Sequence, residues 1–389
     1  WVVLATPMAV LTGHFTLQSL DVDKMGMQLY FLAVCALLSI GGTLLRRTPW
    51  RFAMTPVILW SIIVGLFLIS GMLIDGVVNS IAVHHVLILL GLAATQALLS
   101  AMWRQPWIGY PTVLIASLAA LLAADRDFFG LIELSPTQIG YVFCALALLW
   151  MLVGQVLRRV TAKAYAYPYE LLGLVLSLLA PLTADRSDQD ATLTWLAVGA
   201  LFGLAIVLYR LPWLLGIVLA GFTMALLRGA DWLYPNVFHE SILLLAATWL
   251  HATIGMAALL RERQETTPLR WEQRYSFPAY GVALLSGATG LLAALDQSYT
   301  VAFVGIGLAA LLAALATVER VQMIAWSSLL FLVIGLLGLH DWQDLSRMWS
   351  NTALNAEMLL LCALGWALSI YVQQANATNT SASASLAQV

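Results

Sequence analysis

The sequence predicts an all-α integral membrane protein, a polytopic transmembrane helix bundle of about 14 spans. Three observations predict it. Of the 389 residues, 61% are hydrophobic and only 10% are charged, whereas a soluble domain is about 45–50% apolar and about 25% charged. Apolar runs of membrane-spanning length recur from one end of the chain to the other. The links between these runs are short, which leaves no room for a soluble domain between spans.

The apolar runs favour helices over barrel strands. Inside lipid every backbone polar group must be paired within its own segment or around a closed barrel, and barrel strands are short and alternate between polar and apolar residues. These runs are long and uniformly apolar. The predicted spans are 2–19, 25–45, 54–74, 81–102, 108–124, 138–157, 167–183, 191–209, 213–229, 239–260, 277–295, 299–318, 322–339 and 354–372.

The charged residues predict the orientation of these spans. Thirteen of the 18 Lys and Arg residues lie in turns that follow even-numbered spans, and 15 of the 20 acidic residues lie elsewhere. Because basic residues in short loops stay on the cytoplasmic side, we expect a multi-pass protein of the cell (inner) membrane with both ends of this sequence in the cytoplasm. The net charge of -2 and the lack of a basic patch exclude a nucleic-acid partner.

Residues of the turns recur at a period of about 110, which predicts tandem, parallel repeats of four helices, each a double hairpin. The recurring residues are Asp75, Asp185 and Asp296 in outer turns and Pro56, Pro168 and Pro278 at span starts. The predicted divisions are a half repeat of two helices (1–52), three repeats (53–163, 164–276 and 277–373) and a disordered polar tail (374–389). Because the sequence opens in mid-repeat with Trp1, we expect it to be a fragment of a longer array.

The Arg turns of the repeats read WRQPW at 103–107 and YRLPW at 209–213. With hairpins that end in such turns, the chain resembles bacterial polytopic membrane proteins for which no activity is characterised, so the likeness implies no function. Anchoring at the membrane interface explains the Asp, Arg and Trp residues of these turns. A second set of residues predicts close helix packing: Gly287, Gly290, Gly305 and Gly307.

Two histidines are candidates for binding a cofactor, since polar residues inside a span are costly and often functional. His84 and His251 have no histidine counterpart one repeat later, where Thr194 and Leu361 stand. Each histidine is a candidate ligand for the metal of a haem or a chlorophyll, or a candidate proton relay. The alternative is a histidine hydrogen-bonded to a neighbouring helix. The sequence identifies no particular cofactor. The alternative is that the protein binds no cofactor.

Other polar residues of the spans offer no recognisable catalytic set. They are His14, Gln28, His85, Gln96, His239, Glu240 and Glu357. The three cysteines, Cys35, Cys144 and Cys362, are far apart in sequence and form no metal-binding spacing. We therefore predict neither a catalytic residue nor a metal site.

These features favour a non-catalytic scaffold or an accessory subunit of a membrane complex, which would bind membrane lipids and other membrane subunits. The alternative is a transporter or flippase of an apolar or lipid-like molecule. A third interpretation rests on Asp21-Val-Asp23, which resembles the acidic motif in the first outer loop of lipid-linked glycosyltransferases. That resemblance implies an enzyme acting on lipid-linked substrates, but such enzymes carry larger extramembrane parts than this chain does.

Overall fold

The computed structural model is all-helical apart from short links between helices, and it forms two compact units, Trp1–Thr194 and Trp195–Val389. The boundary falls inside one helix, Asp188–Tyr209. Within the described residues there is no β-strand. The structure describes residues 2–45, 48–49, 51–79, 83–103, 105–125, 135–160, 163–235, 239–265, 270–319, 321–342, 363–367, 370 and 374.

Thirteen long α-helices follow one another in this part of the chain, joined by short links. Five of them are preceded by a short 3-10 turn, as at Pro106–Ile108, where proline at the first position loses no hydrogen bond. The helices are α1 (Val2–Ser19), α2 (Lys24–Leu45), α3 (Met54–Asn79), α4 (Val83–Trp103), α5 (Gly109–Asp125), α6 (Ile139–Val160), α7 (Tyr167–Ala184), α8 (Asp188–Tyr209), α9 (Leu214–Leu233), α10 (Glu240–Glu262), α11 (Ser276–Ala294), α12 (Ser298–Glu319) and α13 (Gln322–Trp342).

Twelve of these helices, α2 to α13, are long and apolar enough to cross a bilayer. The helix predicted at 2–19 is present as α1, but it is not among the twelve because its second half carries His14, Thr16 and Gln18. The span predicted at 354–372 falls mostly outside the described residues, and its described residues are helical. The all-helical, multi-pass class is therefore supported, while the number 14 is not confirmed.

The first unit is held mainly by pairs of helices that are adjacent in sequence, and also by the packing of α2 on α4. α2 packs against α3 and α4, α4 against α5, and α6 against α7. Its largest apolar cluster includes Cys35, Leu68, Leu89, Leu92 and Ala119, which are at most 3% exposed. Branched and small side chains fill the space between these helices because lipid provides no hydrophobic force to press them together.

The second unit relies on glycine to bring helices close. α10 packs on α11 and α12, and α12 packs on α13. A Cβ atom added at Gly305 would lie 2.6 Å from the Cα atom of Gly335, and one added at Gly338 would lie 2.8 Å from the backbone nitrogen of Ala302. Cβ atoms at Gly287, Gly290 and Gly307 would also meet a neighbouring helix within 3.2 Å. The predicted packing role of the small residues is confirmed.

The outward faces of the helices are apolar as well. Val160, Val207 and Leu284 expose at least 74% of their surface. Lipid solvates such side chains at no cost, whereas water would penalise them. Apolar residues both between and outside the helices indicate a multi-pass membrane protein.

One carboxylate, at the end of α10, holds the start of α11 through hydrogen bonds. Glu262, the last residue of α10, accepts hydrogen bonds through Oε1 from the backbone nitrogens of Tyr275 (2.6 Å) and Ser276 (3.0 Å). Its Oε2 atom accepts a bond from the Ser276 hydroxyl at 2.7 Å. The backbone N–H groups at the start of a helix lack partners within it, so Glu262 caps α11 from the end of the preceding helix.

Candidate functional site

His251 lies in the interior of the second unit, where only 1% of its surface is exposed. The Thr223 hydroxyl on α9 donates to the Leu219 carbonyl at 2.9 Å. Its oxygen therefore accepts from His251 Nε2, 3.2 Å away. The Nδ1 atom has no hydrogen-bond partner among the described residues. His251 thus joins α10 to α9 through one ring nitrogen and keeps an unused lone pair on the other.

His84, the second candidate, is only partly buried, and its neighbour His85 is the residue that points into the first unit. The two rings are 4.1 Å apart. His85 is 3% exposed and accepts at Nε2 from the Gln28 amide nitrogen at 3.4 Å. The structure therefore brings together Gln28 and His85. His84 and His251 belong to different compact units, each with its own neighbours.

Two of the remaining polar residues from the sequence, His14 and His239, have local partners. His14 Nδ1 lies 3.2 Å from the sulfur of Met27. His239 caps α10 by accepting from the Ser241 backbone nitrogen, and Gln96 is 5% exposed beside a small cavity of about 100 Å³. Glu240 is exposed at the start of α10, and Glu357 and Cys362 lie outside the described residues.

The acidic pair Asp21 and Asp23 shapes the turn between α1 and α2. Asp21 has a left-handed backbone with φ of 52°, a conformation that Asp tolerates better than most residues. Asp23 Oδ1 accepts from the Gly26 backbone nitrogen at 2.8 Å, which is the geometry of a helix N-cap. Turn formation and capping account for both residues without a substrate.

Sequence reasoning missed a buried ion pair between α6 and α7. Arg158 Nε donates to Glu170 Oε1 at 3.0 Å, and its terminal nitrogen bonds Glu170 Oε2. Gln155 Nε2 adds a third bond at 3.3 Å, and Glu170 is only 4% exposed. The sequence signal was an acid near the start of a span, 12 residues after an arginine.

A cluster of small polar groups joins α2 to α3. The hydroxyl oxygens of Ser39 and Ser61 are 2.7 Å apart, and the sulfur of Cys35 lies 3.2 Å from Ser61 Oγ. All three side chains are at most 3% exposed. Serine and cysteine occur throughout apolar spans, so only the rotation of each helix about its axis determines which of them meet.

An apolar groove of about 490 Å³ runs between α10, α11, α12 and α13. We call it the α10–α13 groove. Its walls include Ala252, Gly287, Leu308 and Phe331. At one end it reaches polar groups, where α10 and α12 finish and α11 and α13 begin. These are Arg274, Ser276, Tyr280 and Glu319.

Two atoms at this polar end are buried without a hydrogen bond of good geometry in the described residues. They are the Tyr280 hydroxyl oxygen and Glu319 Oε1. The two side chains lie near enough to interact electrostatically, and the other carboxylate oxygen of Glu319 lies 3.5 Å from Arg263. The polar end therefore offers a hydroxyl donor and a carboxylate acceptor beside a long apolar space.

The described residues contain no group of three or more His, Cys, Asp or Glu side chains that could hold a metal ion. Comparison with known proteins found no matching family model, no matching curated protein and no matching solved structure. The packing and the buried polar groups of the helices are therefore the basis for assigning a role to this chain.

Proposed function

We propose that this protein is a non-catalytic scaffold or accessory subunit of a bacterial inner-membrane complex. One observation carries the proposal: the buried polar side chains join neighbouring helices in pairs and small clusters. Arg158 binds Glu170, His251 binds Thr223, and the Trp150 indole nitrogen donates to Ser117 Oγ at 2.8 Å. Such contacts fix helix positions, and the apolar outer faces then contact lipids and other membrane subunits.

Equivalent contacts in the two units support a repeated architecture. A Cβ atom at Gly109, which begins α5, would lie 3.1 Å from Pro168 at the start of α7. In the second unit, a Cβ atom at Gly216 near the start of α9 would lie 3.5 Å from Pro278 near the start of α11. The glycine and the proline thus recur together, at close to the period found in the sequence.

The hairpins α6–α7 and α10–α11 share a further contact. A Cβ atom at Gly154 would lie 2.4 Å from the side chain of Glu170, and one at Gly255 would lie 2.6 Å from Tyr280. Glu170 and Tyr280 each follow the proline of their helix by two residues. Tandem parallel repeats explain why the same two positions meet in both hairpins.

The proposed orientation predicts opposite labelling of two glutamines in the second unit. Gln264 follows α10, Gln297 follows α11, and both are exposed. In a background without the native cysteines, we expect Gln297→Cys to react with a membrane-impermeant maleimide in intact cells. Gln264→Cys should react only after permeabilisation. Labelling of both cysteines in intact cells would contradict the prediction that these two positions lie on opposite sides of the membrane. Labelling of Gln264→Cys alone in intact cells would show that the orientation is opposite to the proposed one.

A gentle detergent purification tests the scaffold. We expect a stoichiometric membrane partner by mass spectrometry, and no saturable transport by the reconstituted protein. The absorption spectrum of the same sample tests His84 and His251 as cofactor ligands. Pigment absorption that is lost in His251→Ala or His84→Ala would support the cofactor proposal, and a colourless preparation would contradict it. A protein that purifies alone and transports a solute would contradict the scaffold.

The α10–α13 groove favours a second candidate, a carrier or flippase of a lipid-like molecule. Its apolar walls and polar end match an amphiphile, and its volume is typical of small-molecule sites. Vesicles that contain a fluorescent phospholipid distinguish the two candidates. A carrier accelerates the exchange of that lipid between leaflets, whereas a scaffold leaves the rate of protein-free vesicles unchanged.

A further inference from the structure

A comparison of the two hairpins shows why the groove lies in the second unit; this step rests on the repeat proposed above. Arg158 and Leu259 occupy the same position when each is counted from the first residue of its helix, α6 or α10. Glu170 and Tyr280 also correspond. The ion pair that joins α6 to α7 is thus replaced by leucine and tyrosine, and both of these residues line the α10–α13 groove.

The depth of the groove matches one leaflet of a bilayer. Along α12 its lining extends from Leu308 to Glu319, and this length of helix, at about 1.5 Å per residue, spans about 16 Å. The hydrocarbon core of a membrane is about 30 Å thick. A chain that enters at the polar end therefore reaches the bilayer midplane, as the acyl chain of a lipid in that leaflet does.

The polar end carries both signs of charge. Arg274 and Glu319 line it together with the Tyr280 hydroxyl. Glu319 Oε1 and the Tyr280 hydroxyl interact with each other, but both atoms are buried without a hydrogen bond of good geometry among the described residues. A ligand that supplies both a donor and an acceptor would therefore satisfy both. A phosphoethanolamine head group provides an ammonium donor and phosphate acceptors in one small unit.

We propose that the α10–α13 groove is a binding site for one phospholipid with a zwitterionic, amine-bearing head group. One acyl chain lies between α11 and α12. The lipid ammonium group donates to Glu319, and the lipid phosphate accepts from Tyr280. The walls provide affinity through burial of the chain. The Tyr280 hydroxyl binds the phosphate that every phospholipid carries, and the Glu319 carboxylate provides the preference for this head group over one that lacks the amine.

Native mass spectrometry of the full chain in detergent tests the site, with added phosphatidylethanolamine or phosphatidylglycerol as probes. We expect one retained phosphatidylethanolamine per chain. Ala288→Trp places a large ring at a groove-lining position of α11 and should weaken retention at least tenfold. Leu285→Trp adds the same ring to the same helix outside the groove lining and should retain the lipid as the parent does.

A second pair of variants adds no bulk and tests the head group. Glu319→Gln should weaken phosphatidylethanolamine about tenfold, as expected for loss of one hydrogen bond to a charged group, and should leave phosphatidylglycerol, which has no amine, nearly unchanged. Tyr280→Phe removes the bond to the phosphate that both lipids carry, so it should weaken both about tenfold. Equal retention in Ala288→Trp and Leu285→Trp would overturn the site, as would a parent that retains no lipid. Equal loss of both lipids in Glu319→Gln would overturn the head-group assignment. These outcomes do not depend on finding a protein partner, so they are separate from the scaffold test.

Discussion

Replacement of Arg158 by methionine is expected to destabilise the first unit by about 3 kcal/mol, because it leaves a buried carboxylate without its partner. Glu170 is 4% exposed and receives two bonds from the guanidinium group. Methionine keeps much of the length of the side chain but donates no hydrogen bond. Thermal unfolding in matched detergent micelles, followed by tryptophan fluorescence, measures the loss.

The second unit suggests the control for this variant. Leucine and tyrosine stand there at the corresponding positions, so the double variant Arg158→Leu with Glu170→Tyr removes both charges at once. Because no unpaired charge stays buried, we expect it to recover most of the lost stability. A single Arg158→Met variant as stable as the parent would show that the ion pair contributes little.

Replacement of Gly335 by leucine is expected to lower the free energy of unfolding by about 3 kcal/mol, because the added side chain forces α12 and α13 apart. A Cβ atom at Gly335 would lie 2.6 Å from the backbone nitrogen of Ile306 and 3.0 Å from the Gly305 carbonyl carbon. Backbone atoms cannot move aside as a flexible side chain does. The free energy of unfolding in micelles, measured with increasing denaturing detergent, gives the effect.

Gly281 on α11 is the matched control for that variant. A Cβ atom there would meet no other atom within 4 Å, and the residue is exposed. Gly281→Leu should therefore change the stability by less than about 1 kcal/mol, within the range of helix propensity. Equal destabilisation by the two substitutions would contradict a glycine-dependent contact between α12 and α13.

The positions of the helices were predictable because apolar length alone sets them in a membrane. The span predicted at 167–183 is α7, Tyr167–Ala184, and the one predicted at 299–318 is α12, Ser298–Glu319. The packing role of Gly305 was also predictable, since a residue with no side chain offers little to lipid.

The sites were less predictable because the sequence of a helix that is apolar all around does not show which of its faces packs against other helices. His84 was chosen from the sequence, yet its neighbour His85 is the buried residue. Glu170 was not singled out from the sequence, yet it is buried against Arg158. The groove depends on side chains from four helices, and no pattern within one helix reveals it.

The Glu262 carboxylate holds the first amides of α11 at the end of α10. The two ends of the intervening segment are thereby held at a fixed separation. The position of α11 relative to α10 is therefore set by these hydrogen bonds and not by the length of the segment. A membrane protein that evolves a new binding surface without repacking its interior would lose the least folding stability by changing such a connection.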